Sequence, residues 1–281
     1  MLITVGAMTD DWYLPETYIW NNRLIRYGTR GSGTPIVVMH GTPWSSYNMR
    51  HLIHSLSNIG TVHFYDLLGY GSSDMRPGDV SLGVQNQILC DLVRHWGISN
   101  PILIGHDLGG ATALRAITIN GLHVDRLVLI DPVAMSPWGS PFFRHVREYE
   151  DAFAGVPDYI HEAIVTEYVK TAMYTPLDQD VLKRTVKPWL GSDGKASFYR
   201  QIAQADSRFT DVAQERYSTI DRPVLILWGE QDTWIPVQRG EELERLIPNA
   251  HLVKIPGAGH LVIEERPDEL VSQIKMFLAS M

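Results

Sequence analysis

Asp107 stands in the run Ile104-Gly105-His106-Asp107-Leu108-Gly109-Gly110. An apolar, β-branched stretch, 101–104, leads straight into it, and a segment of helical character, 111–120, leads straight out. A strand–turn–helix with the pattern Gly-x-nucleophile-x-Gly lifts the central side chain above the end of a sheet. Such a turn crowds the backbone around residue 107, and Gly105 and Gly109 permit it because they lack a Cβ. The helix N-terminus that follows favours a negative charge. A carboxylate in that place is a nucleophile of a particular kind. With an unperturbed pKa near ~3.9 it is ionised at neutral pH and attacks without a base, which a serine does not. Its attack on an ester carbonyl would give a mixed anhydride, a poor intermediate. Its attack on an sp³ carbon gives an ordinary ester, so the natural substrate carries a leaving group on carbon: an epoxide or an alkyl halide.

The elements that must hold Asp107 in place read as a parallel sheet. Short apolar runs at 35–39, 61–65, 101–104, 127–130, 223–228 and 251–255 alternate with amphipathic segments of helix length. Runs of this kind are buried on both faces, and their alternation with helices argues a parallel arrangement. Segments 16–20 and 23–27, around Asn21-Asn22, predict an edge hairpin, which makes about eight strands. Between Asp131 and Pro223 the rhythm stops. Helical spacing replaces it, as at Ile160, Ala163, Ile164 and Tyr168. Residues 133–218 are therefore expected to form a helical lid inserted into a core made of 1–132 and 219–281.

Three further stretches follow strands in order: His40-Gly41-Thr42-Pro43, Gly229-Glu230-Gln231-Asp232 and Gly257-Ala258-Gly259-His260. With the turn at Asp107, and with the segment from Asp66 to Ser73 after the fourth strand, the chain resembles the α/β-hydrolase superfamily from about Tyr18 to Phe277. That resemblance implies an eight-stranded, mostly parallel sheet with helices on both faces and a helical lid. It implies Asp232 as the acid and His260 as the histidine, in the chain order nucleophile, acid, histidine. It implies the backbone N–H groups of Thr42 and Leu108 as an oxyanion hole. His260, held by Asp232, would then activate water against the ester on Asp107. Asp131 follows the sixth strand, where some members place the acid instead. It either replaces or assists Asp232, or begins the insertion by capping a turn before Pro132.

An aspartate at the elbow is similar to two branches, epoxide hydrolases and haloalkane dehalogenases. Dehalogenases carry Trp directly after the nucleophile and often Asn after the His-Gly pair; here those positions are Leu108 and Thr42. Trp44, Trp138 or Trp189 would have to supply the halide contact. Epoxide hydrolases use two lid tyrosines. The lid offers Tyr149, Tyr159, Tyr168, Tyr174, Tyr199 and Tyr217. Phe198-Tyr199-Arg200 resembles the stretch that carries one of the pair, and Tyr149 falls near the place of the other. Thr42 departs from the aromatic often found in the epoxide-hydrolase loop. The expected substrate contacts are Tyr199, Tyr149, Trp44, Trp138 and His106, with His40 and His106 also bracing the loops around the site. Glu264 and Glu265, after His260, are expected to be solvated or to begin a helix.

Composition narrows the rest. The chain has 281 residues, a formal net charge of −8 and a single cysteine, Cys90. The acidic balance argues against a nucleic-acid partner. One cysteine allows neither an intrachain disulfide nor a thiolate zinc cluster, and Cys90 sits in an amphipathic segment where packing suffices. No apolar run nears the ~20 residues that span a membrane, and 1–11 lacks the pattern of a signal peptide. The expectation is a cytoplasmic monomer or homodimer that opens small apolar epoxides to diols and needs neither a metal nor an organic cofactor. A haloalkane dehalogenase, an ester or lactone hydrolase and a non-catalytic small-molecule receptor on the same fold are the alternatives.

Overall fold

The computed structural model describes residues 12–279. Its eight strands are β1 (Glu16–Trp20), β2 (Arg23–Gly31), β3 (Thr34–Met39), β4 (Gly60–Tyr65), β5 (Ile102–His106), β6 (Arg126–Ile130), β7 (Val224–Gly229) and β8 (Ala250–Ile255). They form one sheet in the order β1-β2-β4-β3-β5-β6-β7-β8. β1, β2 and β4 pair antiparallel, and every pairing from β4 through β3 to β8 is parallel. Asn21 and Asn22 both take positive φ, 45° and 61°, the geometry of a two-residue hairpin turn that matches strand twist. β2 runs four residues beyond the expected 23–27. Its polar continuation, Gly28 to Gly31, pairs with Phe64 to Thr61 of β4, a long-range partner that local patterning does not reveal.

The central strands β5, β6 and β7 are buried along their whole length. That is why they read as unbroken apolar runs. Helices cover both faces. α1 (Arg50–Leu56) packs on the C-terminal helices α11 (Val262–Glu265) and α12 (Pro267–Ala279), and α2 (Leu82–His95) packs on α3 (Leu108–Thr118). Cys90 lies on α2, half-buried, and burial pushes its thiol up to about 11, as suits a packing residue. β4 and β5 flank β3 on opposite sides. The loops after β3 and β5 therefore diverge at a point where strand order reverses, the place where open α/β sheets bind ligands.

Between β6 and β7 the described chain is helical: α4 (Pro141–Glu148), α5 (Glu150–Ala154), α6 (Asp158–Lys170), α7 (Gln179–Val186), α8 (Gly191–Ala203) and α9 (Arg208–Gln214), with short 3₁₀ turns. The buried face of α6 differs from the expected one. His161, Val165, Tyr168 and Val169 point inward, while Ile160 and Ala163 are exposed. His161 holds an interior position because both ring nitrogens are satisfied, Nδ1 by the Tyr199 hydroxyl at 3.0 Å and Nε2 by the Trp189 carbonyl at 2.8 Å. No helix among the described residues is long and apolar enough to cross a membrane.

Candidate active site

Asp107 links β5 to α3 with φ 51° and ψ −115°. A non-glycine residue there is strained and must be held by its surroundings. A Cβ on Gly105 would come within 2.5 Å of the Gly109 backbone, and one on Gly109 within 2.6 Å of the His40 carbonyl. Both positions therefore exclude any larger residue. The loop after β3 closes over the turn so tightly that a Cβ on Gly41 would lie 2.4 Å from Oδ1 of Asp107. The N–H of Thr42 donates to that oxygen at 2.7 Å. Leu108 opens α3, so its N–H is among the free amides of the helix start. Of these two backbone N–H groups, that of Thr42 is the one bonded to the carboxylate.

His260 follows β8 and is fully buried. Its Nδ1 faces Oδ2 of Asp232 at 2.8 Å, and its Nε2 faces Oδ2 of Asp107 at 3.2 Å. The other oxygen of Asp232 accepts the N–H groups of Trp234 and Ile235 at 2.8 and 2.9 Å, so both oxygens are committed. The Trp234 indole stacks on the His260 ring, with centroids 5.1 Å apart. The His260 N–H donates to the Ala172 carbonyl of the helical insertion at 2.8 Å. Burial alone would disfavour an imidazolium, but Asp232 and Asp107 outweigh it and hold His260 well above its ordinary pKa. That balance favours the protonated ring, which lies between the two acidic side chains.

Asp131 lies close to this chain of bonds without joining it. It is fully buried at φ 40°. Its Oδ1 accepts the Gly229 N–H at 2.8 Å, and its Oδ2 has no partner among the described residues. Burial, then the charge of Asp232, raises its pKa well above the carboxylate range. Burial and the neighbouring charge of Asp232 thus favour the protonated form of Asp131.

The neighbouring histidines brace loops. His40 Nδ1–H donates to the Gly41 carbonyl at 2.8 Å, and its Nε2 accepts the Leu67 N–H at 2.9 Å. His106 Nε2–H donates to the His260 carbonyl at 2.9 Å. Burial, with His260 beside it, lowers the His106 pKa to about 4. His106 does not line the cavity above Asp107.

That cavity is bounded by Thr42, Tyr70, Leu108 and Gln201 near the carboxylate and by an apolar wall that includes Val133, Trp138 and Phe143. Of the expected substrate contacts it contains Trp138, whose Nε1–H is spent on Thr210 Oγ1 at 2.9 Å. Trp44 is buried and stacked on Trp234. Trp189 donates its Nε1–H to the Pro43 carbonyl at 2.8 Å, pinning the insertion to the loop after β3. The structure does not bring Tyr199 or Tyr149 to the cavity. The Tyr199 hydroxyl is bound to His161, and Tyr149 is 47% exposed. Tyr199 and Gln201 lie two apart on α8, hence on different faces of one helix, and Gln201 holds the inward position.

Two other tyrosines stand in that place. Tyr168, on α6, and Tyr70, in the loop after β4, both line the cavity, and both feel the charge of Asp107. Tyr70 was legible as an aromatic between two loop glycines, Gly69 and Gly71, which take φ 90° and 53°. Tyr168 is a tyrosine of the helical insertion that no local pattern separates from the rest. Glu264 and Glu265 fall in the first turn of α11, as the helix-start alternative expected, but neither is simply solvated. The Glu264 side chain is buried in a bidentate pair with Arg50, and Glu265 accepts the N–H groups of Gly259 and Tyr174 at 2.7 and 2.9 Å. Glu265 thus ties the loop bearing His260 to the insertion.

A strand–elbow–helix at Asp107, with acidic and histidine loops following β7 and β8, is the frame of one fold family, and residues 36–273 match the family model described as the alpha/beta hydrolase family. The chain belongs to the α/β-hydrolase family. An α/β hydrolase fold protein from Burkholderia ambifaria, known as a crystal structure, is 46% identical to this hydrolase, with a TM-score of 0.92 over 94% of this chain and 97% of that one. A putative esterase/lipase from Haemophilus influenzae is 24% identical over 87% of this chain and 83% of that protein. A cis-3-alkyl-4-alkyloxetan-2-one decarboxylase from Xanthomonas campestris pv. campestris is 27% identical over 88% of each.

Proposed function

We propose that this hydrolase opens small apolar epoxides to diols through a covalent ester on Asp107. The observation that carries the reading is the division of labour between the two oxygens of that carboxylate. Oδ1 is seated on the Thr42 N–H, while Oδ2 faces His260. Oδ2 attacks the ring carbon, the C–O bond breaks, and its electron pair goes to the ring oxygen. Tyr168 gives that oxygen a proton. Its hydroxyl lines the cavity and is bonded to no described residue. Burial and the charge of Asp107 raise its pKa, so it keeps its proton until an alkoxide forms.

Esterification removes one of the two charges that keep His260 protonated. The proton on His260 then restores Tyr168, and the neutral imidazole becomes a base, oriented by Asp232. It takes a proton from water, and the hydroxide attacks Cγ of Asp107. The oxyanion develops on Oδ1, where the Thr42 N–H, joined by that of Leu108, stabilises it. Collapse breaks the bond from Cγ to Oδ2, the proton of the added hydroxyl passes to Oδ2, and the diol leaves with the carboxylate and the imidazolium restored.

An oxygen leaving group suits this cavity better than a halide. Trp138 and Trp189 have committed their N–H groups, and Trp44, whose Nε1 has no partner among the described residues, does not line the cavity. The relative named for an oxetan-2-one supports a second ring class, since C4 of that ring is also an sp³ carbon bound to oxygen. The test is turnover of styrene oxide, a cis-3,4-dialkyl oxetan-2-one, 1-bromobutane and p-nitrophenyl acetate by the parent, Asp107→Asn and His260→Ala. Diol from the epoxide, lost in both variants, is expected. Cleavage of the acetate alone, or cleavage that survives Asp107→Asn, overturns the carboxylate nucleophile.

A further inference from the structure

Gln201 reaches from α8 of the helical insertion to the floor of the cavity. Its Oε1 accepts two hydroxyls, Thr42 Oγ1 at 2.7 Å and Tyr70 Oη at 2.9 Å. Those bonds turn the carboxamide so that its Nε2 points away from them. That Nε2 is buried and has no acceptor among the described residues, although Gln201 itself lines the cavity. A buried N–H group left unpaired costs about 1–3 kcal/mol, and buried polar groups are nearly always satisfied. An amide held by two bonds at Oε1, with Nε2 unpaired among the described residues, is suited to an acceptor that arrives with the substrate.

We infer that Gln201 Nε2 is a catalytic hydrogen-bond donor to the departing ring oxygen, and that the enzyme selects electrophiles whose leaving group is an oxygen acceptor. The inference rests on the proposed attack by Asp107. As the bond from Oδ2 of Asp107 to carbon forms, the C–O bond breaks and its electron pair goes to the ring oxygen. Tyr168 transfers a proton to that oxygen. Gln201 transfers none; it shares a hydrogen, and its amide is unchanged at the end of the step. The Thr42 and Tyr70 hydroxyls hold the amide beforehand, so no reorganisation is needed as charge develops. The same Thr42 that seats one oxygen of Asp107 by its N–H thus orients the donor by its hydroxyl.

The two chemical steps separate the donor from a mere strap between insertion and core. In His260→Ala the ester on Asp107 accumulates, and its rate of formation from styrene oxide or from the dialkyl oxetanone is read by intact mass. Gln201→Glu keeps an acceptor for Thr42 and Tyr70 but has no amide donor. Gln201→Met lacks the donor and adds no charge. A donor role predicts that both, in the His260→Ala background, form the ester about 100-fold more slowly, the loss typical of one such donor. With His260 present, both should hydrolyse the ester, once formed, at the parent rate. Ester formation at the parent rate in Gln201→Glu, or an equal loss in both steps, overturns the inference. If His260→Ala with Gln201 intact forms no ester from either ring, the attack by Asp107 falls, and this inference falls with it.

Discussion

Oδ1 of Asp107 is held 2.7 Å from the N–H of Thr42, so the two oxygens of this carboxylate have different surroundings before any substrate arrives. On the proposed mechanism the oxygen that faces His260, Oδ2, becomes the ester oxygen and leaves with the product. In a single turnover in ¹⁸O-labelled water the diol should carry no label, and the peptide containing Asp107 should gain one heavy oxygen. Label in the first-turnover diol, with Asp107 unlabelled, would mean that water attacks the substrate directly.

Asp232, not Asp131, is bonded to Nδ1 of His260. Asp232→Asn should lower turnover by about 10³- to 10⁴-fold, as loss of the orienting acid does elsewhere. Asp131→Asn replaces one neutral group by another and keeps the acceptor for the Gly229 N–H, so turnover should change less than twofold. Steady-state kinetics on styrene oxide checks both. The reverse ranking would make Asp131 the acid.

Asp131 also leaves a signature in stability. Its folded pKa is raised by burial and by Asp232, so the folded chain binds this proton more tightly than the unfolded chain does. The stability that this group contributes is complete below its unfolded pKa of ~3.9 and is lost as pH rises toward the folded value. Asp131→Asn removes that loss. Its Tm should exceed the parent's at pH 7.5 by about 2 °C or more, the shift that ~1 kcal/mol produces in a chain of this size. The gap should close near pH 4. Equal Tm values at both pH values would mean that Asp131 is ionised in the folded state.

The tyrosines should separate into chemical and structural roles. Tyr168→Phe removes the proton donor and should slow epoxide opening by about 100-fold with little change in Tm. Tyr199→Phe leaves Nδ1 of His161 without a partner and should cost about 1–3 kcal/mol of stability, with turnover retained at temperatures where it is folded. Tyr149→Phe, at an exposed position, should do neither. Calorimetry and kinetics on the three variants test the assignment, and parental turnover in Tyr168→Phe refutes it.

Much of this was legible along the chain because it is written in local patterns. The buried strands appear as apolar runs, since each is covered on both faces. The turn at Asp107 needs Gly105 and Gly109 whatever else surrounds it. The loops bearing Asp232 and His260 follow their strands directly, so their order along the chain carries their places along the sheet. The type of residue 107 alone separates a carboxylate's chemistry from that of a hydroxyl.

What the chain does not contain is the choice among equivalent side chains. Tyr168 and Tyr199 are both inward-facing aromatics of amphipathic helices, and Tyr199 is withdrawn from the cavity only because His161, 38 residues earlier, takes its hydroxyl. Gln201 looks like any polar helix residue until Thr42 and Tyr70, from two separate loops, meet at its Oε1. Asp131 and Asp232 are both acids that follow strands, and the fold brings Asp232 to Nδ1 of His260 while Asp131 accepts the Gly229 N–H. Short-range sterics and burial decide the fold, the turn and the residue types that can react, and those are read along the chain. Which polar groups share the cavity depends on contacts between segments that are distant in the chain, and folding alone brings them together.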